Sequence, residues 1–280
     1  MAGKLRKIDR RRVLALGVTG AASLGVTGCA RAQQPAASAA VGQPPALTAH
    51  ATEGPYYFDP KKERADITEG HAGVPLEVRL AVVDETGANL RNARVDLWHC
   101  NAAGLYSGYA GQGDDGQAST LGQTFLRGYI QTNAEGVAAF RTIYPGWYRG
   151  RTTHIHFKVW NGDKAVLTSQ FFLPDALSEF LYANLADYRR TQVRDTLNST
   201  DGIALRAGGT VIGNVREEAD RYVAALNVVV DRNATAGGER GPGGRLGGSG
   251  SRARGPEDAP TRTAPVGGER IKALIPGGDA

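Results

Sequence analysis

What most limits the folds open to this chain is a period-two alternation of apolar and polar residues. Leu76-Glu77-Val78-Arg79-Leu80-Ala81-Val82-Val83 puts Leu76, Val78, Leu80 and Val82 on one side of an extended segment, because successive strand side chains point to opposite faces. Asp84-Glu85-Thr86-Gly87 reads as a turn, and Ala93-Arg94-Val95-Asp96-Leu97-Trp98 alternates again. Further strands are expected at Gly128 to Thr132, Val137 to Thr142, His154 to Trp160 and Val166 to Phe172, with Asn133-Ala134-Glu135-Gly136 turning between the first two. Short strands at this spacing predict an all-β chain folded as an antiparallel β-sandwich. Helices are expected at the periphery, with Asp175 to Arg190 the strongest candidate. Arg221 to Val230 fits either type, and its apolar run Tyr222 to Val230 would serve as a last strand.

The segments outside these strands have other compositions. Asp9-Arg10-Arg11-Arg12-Val13-Leu14 is a twin-arginine pattern, followed by an uncharged apolar run from Val13 to Val26. That run falls short of the about 20 apolar residues a membrane span needs. It ends at Val26-Thr27-Gly28-Cys29, which resembles a bacterial lipobox. Residues 1–29 are therefore expected to be an export signal, giving a cell-envelope lipoprotein attached to the membrane through a lipidated Cys29, or a secreted protein if the cysteine is incidental. Residues 30–50, rich in Ala, Gln and Pro, are expected to be a flexible tether, and residues 233–280, rich in Gly, Pro and Arg, a disordered tail. This leaves residues 51–232 as one folded domain.

Charge and cysteine content exclude some functions. Six of the 33 Lys/Arg and one of the 28 Asp/Glu lie in residues 1–29, so that segment holds the whole formal excess of +5. The remainder is neutral, and no nucleic-acid partner is expected. With Cys29 committed to lipid, Cys100 is alone, so no disulfide framework stabilises the domain, and Cys100 reads as a small packing residue.

Chemistry is concentrated in Tyr144-Pro145-Gly146-Trp147-Tyr148-Arg149-Gly150-Arg151-Thr152-Thr153-His154-Ile155-His156-Phe157. On a strand His154 and His156 share a face, and the turn at Pro145-Gly146 lets Tyr148 fold back towards them. Alone, a His-x-His pair fits two ordinary hydrogen-bonded histidines as well as a metal site. A zinc hydrolase would want a further His or carboxylate nearby, and none adjoins the pair. The available partners are tyrosines, including Tyr106 beyond the turn that follows Trp98. Two hard phenolate oxygens with two neutral imidazoles suit ferric iron.

Asp96-Leu97-Trp98-His99, Gly104-Leu105-Tyr106-Ser107, Pro145-Gly146-Trp147-Tyr148 and Arg151-Thr152-Thr153-His154-Ile155-His156-Phe157, in that order, resemble the intradiol ring-cleavage dioxygenases, the catechol and protocatechuate 3,4-dioxygenase group. Glu53-Gly54-Pro55-Tyr56-Tyr57 resembles an N-terminal element of that family, so the likeness covers about residues 50 to 230. The resemblance implies Fe(3+) held by Tyr106, Tyr148, His154 and His156, with Tyr148 the phenolate that leaves when substrate binds and can take its proton. It implies a catechol-type diol and O2 as substrates and a muconate-type dicarboxylic acid as product, with no organic cofactor. Arg151 occupies the family position whose cation stabilises charge developing on the ring, and losing such a donor commonly costs about 2.7–4 kcal/mol. Gln170 matches a family glutamine that hydrogen-bonds in the active site.

Other residues read as structural or as lining. His99 is expected to be a hydrogen-bonded structural histidine, and His50 and His71 show no pairing. Tyr56, Tyr57 and Phe58 fit either a pocket wall or the core, and Trp147 is expected near the pocket mouth. Only five residues separate Tyr148 from His154, fewer than in the well-known intracellular members, which predicts a more open pocket that admits bulky catechols. Two other classes stay open at this point: a non-catalytic binding sandwich and a zinc hydrolase built on the His pair.

Overall fold

The alternating segments pair into two four-stranded sheets. In chain order the strands are β1 (Pro75–Asp84), β2 (Arg94–Trp98), β3 (Arg127–Gln131), β4 (Val137–Ile143), β5 (His154–Asn161), β6 (Lys164–Phe172), β7 (Asn214–Glu217) and β8 (Tyr222–Val230). The sheet orders are β4-β1-β8-β7 and β3-β2-β5-β6. These come from a computed structural model that describes residues 44–236 and 260–274. The export signal expected at 1–29, with Cys29, lies outside the described residues.

Each sheet has one apolar face, and the two faces meet. Leu76, Val78, Leu80 and Val82 of β1 share one buried cluster with Val95 and Leu97 of β2, Ile155, Phe157 and Val159 of β5, and Phe171 of β6. Burying each such side chain contributes about 1.5–3 kcal/mol, and this shared burial holds the two sheets face to face. The pairings are antiparallel except that β8 joins β1 in parallel. A parallel partner needs a long connection, and here it runs through β2 to β7, with residues 173–213 carrying the chain from β6 back to the first sheet.

The same long excursion holds most of the helix. α1 (Asp175–Asn184) is shorter than the span expected, ending at Leu185 before a single 3-10 turn at Ala186–Tyr188. α2 (Gly202–Ala207) and α3 (Gly267–Leu274) were not legible as helices, α2 because it is only six residues long. Among the described residues no helix is long and apolar enough to cross a membrane.

Two assigned boundaries need correction. The tether reaches into the domain: Thr48 is buried, its amide donates to Val229 O at 2.9 Å and the Ala51 amide to Thr168 O at 3.0 Å, so this strand-like segment links the two sheets. The tail is not structureless throughout: the Arg262 amide donates to Thr200 O at 2.9 Å, the Ala264 amide to Asp195 O at 2.7 Å, and α3 follows. Composition hid both, because backbone hydrogen bonds need no particular side chain. On the opposite side of the sandwich, residues 64–67 bridge β3 and β4 through the Arg64 amide to Tyr129 O and the Ile67 amide to Arg141 O, which covers two sheet edges.

Strand β5 places the chemistry. Its Ile155, Phe157 and Val159 fill the core between the sheets, so His154, His156 and Lys158 point to the outer face of the second sheet. All six are buried because loops cover that outer face as well.

Candidate active site

The floor of the site is a row of side chains in register across all four strands of the outer face. Arg127 of β3 pairs with Trp98 of β2, Trp98 with His156 of β5, and His156 with Gln170 of β6. The Trp98 and His156 rings stack at 4.8 Å and 11°. His154 stands one step along β5, opposite Phe172.

Two loops bring the tyrosines over this floor. The first is held by Asn101, whose Oδ1 accepts the Ala103 and Leu105 amides at 3.0 Å each, and by Gln112, which accepts the Tyr106 amide at 2.7 Å and donates to Tyr106 O at 2.8 Å. The second is Pro145 to Tyr148. The loops cross backbone to backbone at two glycines: a Cβ on Gly146 would stand 2.2 Å from Ala102 O, and one on Gly104, at φ 80°, would stand 2.2 Å from Trp147 O. Any side chain there would force the two tyrosine-bearing loops apart.

All four predicted donors converge. Tyr148 Oη is 3.1 Å and Tyr106 Oη 3.3 Å from His154 Nε2, the two phenol oxygens are 3.5 Å apart, and His154 Nε2 lies 3.1 Å from His156 Nε2. His154 Nδ1–H donates to Thr152 O at 2.6 Å, which leaves its Nε2 lone pair facing the cluster. A backbone carbonyl on the far nitrogen is the usual orientation device of a metal-ligating histidine. Two donors each about 2.0–2.1 Å from one ion stand about 3.3 Å apart at a tetrahedral angle, so the spacing of His154 Nε2 from the other three donor atoms is that of groups sharing a single ion.

Electrostatics agree with that fit. Burial lowers both imidazoles well below their ordinary value, helped by Arg151 for His154 and by His154 for His156, so both are neutral. Burial pushes the Tyr148 phenol up to about 12, against the opposing pull of Arg151, and also raises Tyr106 well above the ordinary phenol value. Without a cation the phenols keep their protons, and a highly charged ion is what would displace them. Among the described residues no group of three or more His, Cys, Asp or Glu gathers to hold a metal. The His pair thus lacks the carboxylate or thiolate partner that a zinc hydrolase would use, and its partners here are phenols.

Arg151 and Gln170 meet at the edge of the cluster. Arg151 Nη2 donates to Gln170 Oε1 at 2.5 Å, and Gln170 Nε2 donates to Thr52 O at 2.8 Å. Arg151 Nε donates to Asp201 Oδ2 at 2.8 Å. Tyr148 and Arg151 are half-buried and form the open side. Over the other side lies the segment from Glu53 to Phe58. Tyr56 stacks on Tyr106 at 4.6 Å, Tyr57 Oη donates to buried Asp96 at 2.7 Å, and Glu53 pairs with Lys158.

Some expectations are corrected. Trp147 is in the hydrophobic core, not at the mouth, with the Arg190 guanidinium over its ring at 4.7 Å. Tyr56 is a wall of the site, whereas Tyr57 is tied to Asp96 and Phe58 packs under Arg127 at 4.1 Å. His99 is structural as expected, bonded to Cys100 O at 2.8 Å and Thr142 Oγ1 at 2.7 Å, and Cys100 is a buried free thiol that burial pushes up to about 12. His71 packs on Phe125, and neither it nor His50 joins the cluster. Sequence reasoning missed Arg127, Trp98 as the platform under His156, and Asp201. Only Asp201 had a signal, an acidic residue in helix-capping position before Gly202-Ile203-Ala204-Leu205.

Fold and site together define a class: a β-sandwich whose outer sheet face holds two histidines and two tyrosines around one point. A family model described as Dioxygenase matches residues 52–206, and the chain belongs to this dioxygenase family. Its fold is that of an intradiol ring-cleavage dioxygenase from Tetranychus urticae, with 26% identity, a TM-score of 0.63 and coverage of 69% of this chain and 98% of that one. The chain is 37% identical over 120 residues to the protocatechuate 3,4-dioxygenase beta chain of Burkholderia cepacia, covering 38% of this chain and 49% of the relative. It is 28% identical over 150 residues to a chlorocatechol 1,2-dioxygenase of Pseudomonas putida, covering 45% and 53%. The chain thus spans about half the length of the curated relatives it matches.

Proposed function

We propose that this protein is a non-haem ferric intradiol dioxygenase that opens a catechol-type diol with O2 to a muconate-type dicarboxylic acid. The observation that supports the reading most is the convergence of Tyr106, Tyr148 and His156 on His154, whose Nε2 lies 3.1 to 3.3 Å from each of the other three donor atoms. These four residues would hold Fe(3+), which when bound would supply the Lewis acidity that makes a catecholate ring reactive towards O2.

The chain's own residues account for the rest. His154 and His156 present neutral lone pairs, one fixed by Thr152 O. Tyr148 sits at the open side, and burial, only partly opposed by Arg151, makes its phenolate a strong base, which suits it to take a proton from an incoming catechol hydroxyl. Arg151, fixed by Asp201 and Gln170, offers a cation that need not reorganise as charge develops on the ring. Tyr56, stacked on Tyr106, gives a flat substrate an aromatic wall. The five-residue link between Tyr148 and His154 leaves the mouth to exposed Arg149 and Gly150, which favours catechols with large 4-substituents. Export by the twin-arginine route with lipid on Cys29 is part of the same proposal, supported by the motifs in residues 1–29.

Oxygen uptake by iron-loaded protein against catechol and a series of 4-substituted catechols, with products identified, tests the reading. Ring opening between the hydroxyls with comparable kcat/KM for small and large catechols is expected. Extradiol products, or no uptake with any catechol, overturn the reaction class, and activity confined to catechol overturns the substrate range. The iron-loaded protein should be red to burgundy from tyrosinate charge transfer, and Tyr148→Phe should change both colour and activity.

A further inference from the structure

We infer that Asp201 is the positioning residue for Arg151, and that it does this from the cap of α2. Asp201 is fully buried, and its two carboxylate oxygens divide their work. Oδ1 accepts the Ile203 and Ala204 amides at 2.8 and 3.2 Å, which caps the helix. Oδ2 accepts Arg151 Nε at 2.8 Å and the Thr152 amide at 2.9 Å. One carboxylate thus fixes the guanidinium and the backbone next to it, two residues before His154.

The geometry limits what Arg151 can do otherwise. With Nε on Asp201 and Nη2 on Gln170, the guanidinium plane is set by two partners on different elements, the loop before α2 and strand β6. Nη1 bonds no protein atom among the described residues and stays free for a ligand. The loop that bears Asp201 is fastened in turn: Asp195 accepts the Gly150 amide at 3.0 Å, and Asn198 accepts from Thr152 Oγ1 at 2.8 Å. The short segment 149–153 is therefore clamped from outside the sandwich by residues 195–201. A fixed cation is worth more to a transition state than a mobile one, because no rearrangement accompanies the reaction.

The inference rests on the reading of Arg151 as the cation of an intradiol site, and the test separates the two. Asp201→Asn is a selective probe: its Oδ1 can still cap α2, which then turns the amide NH2 towards Arg151 Nε–H and the Thr152 amide, donor against donor. In the iron-loaded full chain kcat should fall about 10- to 100-fold, the range typical of losing an orienting partner, with little change in iron content or in the tyrosinate band. In an Arg151→Lys background the same change should have little further effect on kcat, because Asp201 acts through Arg151. Amide exchange by mass spectrometry supplies the arm that needs no activity: peptides covering residues 149–153 should exchange slowly in the wild-type protein and faster in D201N. An equal kcat loss in both backgrounds, or unchanged exchange in 149–153, overturns the inference. If D201N does not fold, fast exchange of 149–153 in the wild-type protein overturns it alone. A wild-type protein inactive on every catechol overturns the reading of Arg151 and leaves the exchange arm to report on the clamp.

Discussion

His154 Nε2 and His156 Nε2 face each other at 3.1 Å in a buried cluster, with Thr152 O fixing the proton of His154 on its other nitrogen. Both rings are held neutral, chiefly by burial, and His99, equally buried, is pulled down to about 4. A histidine whose folded pKa lies below its unfolded value of about 6.5 takes up its proton more readily in the unfolded chain. Its contribution to stability is complete above that value and is lost as pH falls below it. Each contributes a slope of about 1.4 kcal/mol per pH unit. Metal-stripped protein should therefore lose urea resistance progressively from pH 7 to pH 5. Urea midpoints across that range check it, and a flat profile contradicts it.

Gly146 is where the loops of Tyr106 and Tyr148 touch. A Cβ there would stand 2.2 Å from Ala102 O, and the clashing atom is backbone, which cannot swing aside as a side chain tip can. Gly146→Ala should destabilise the fold by about 1–3 kcal/mol, as overpacking does, and separate the two phenols. Chemical denaturation measures the first effect, and iron retained per chain after dialysis measures the second. Both are expected to fall together.

The sequence carried the sandwich and the donors for different reasons. Alternation exposed β1 because it buries one face, and β2 because Arg94 and Asp96 alternate with Val95 and Leu97 although loops bury its outer face too, and His154 and His156 were seen to share a face by the same rule. β7 was missed because four residues, mostly exposed, carry no period. Convergence of Tyr106 and Tyr148 on the histidines depends on two loops crossing at glycines, a contact between residues about 40 apart that no local pattern encodes. Trp147 was misplaced because adjacency to Tyr148 says nothing of a loop residue's direction, and burial against the core decided it. Asp201 lies 50 residues from Arg151, so only the fold could join them.

Arg127 is a cation 1% exposed, and none of its hydrogen bonds among the described residues goes to a carboxylate. Its donors go to Ser107 Oγ at 2.7 Å, Ser107 O at 2.9 Å and Tyr56 O at 3.0 Å, and burial pulls it down to about 10. It thereby joins the loop behind Tyr106 to the wall residue Tyr56. Arg127→Met keeps much of the volume but leaves two carbonyls without a donor, at about 1–3 kcal/mol each. A net loss of about 2–4 kcal/mol is expected, less than the full sum because a buried charge is removed too. Urea denaturation of R127M tests this, and a variant as stable as wild type contradicts it.

The segment from Pro260 to Leu274 backs the same loop that clamps Arg151. Its Arg262 amide donates to Thr200 O at 2.9 Å, its Ala264 amide to Asp195 O at 2.7 Å, and Ala264 is 5% exposed. Arg270 Nη2 donates to Glu179 Oε1 at 2.6 Å and to Arg194 O at 3.0 Å. Two backbone hydrogen bonds are worth about 0.5–1.5 kcal/mol each, and a rim ion pair about 0–1 kcal/mol. Ending the chain after residue 259 should thus cost about 1–4 kcal/mol, and at about 2–4 °C per kcal/mol for a domain of this size the Tm should fall by about 2–16 °C. Arg270→Ala alone should change little, because Glu179 keeps its bond from Arg194 Nε at 2.9 Å. Since Asp195 itself holds Gly150 and Thr200 adjoins Asp201, which holds Arg151, the truncated chain should also show faster amide exchange in residues 149–153, whereas R270A should not. Melting curves and exchange on the two variants decide it, and a truncation that leaves both unchanged would return this segment to the disordered tail that its composition predicts.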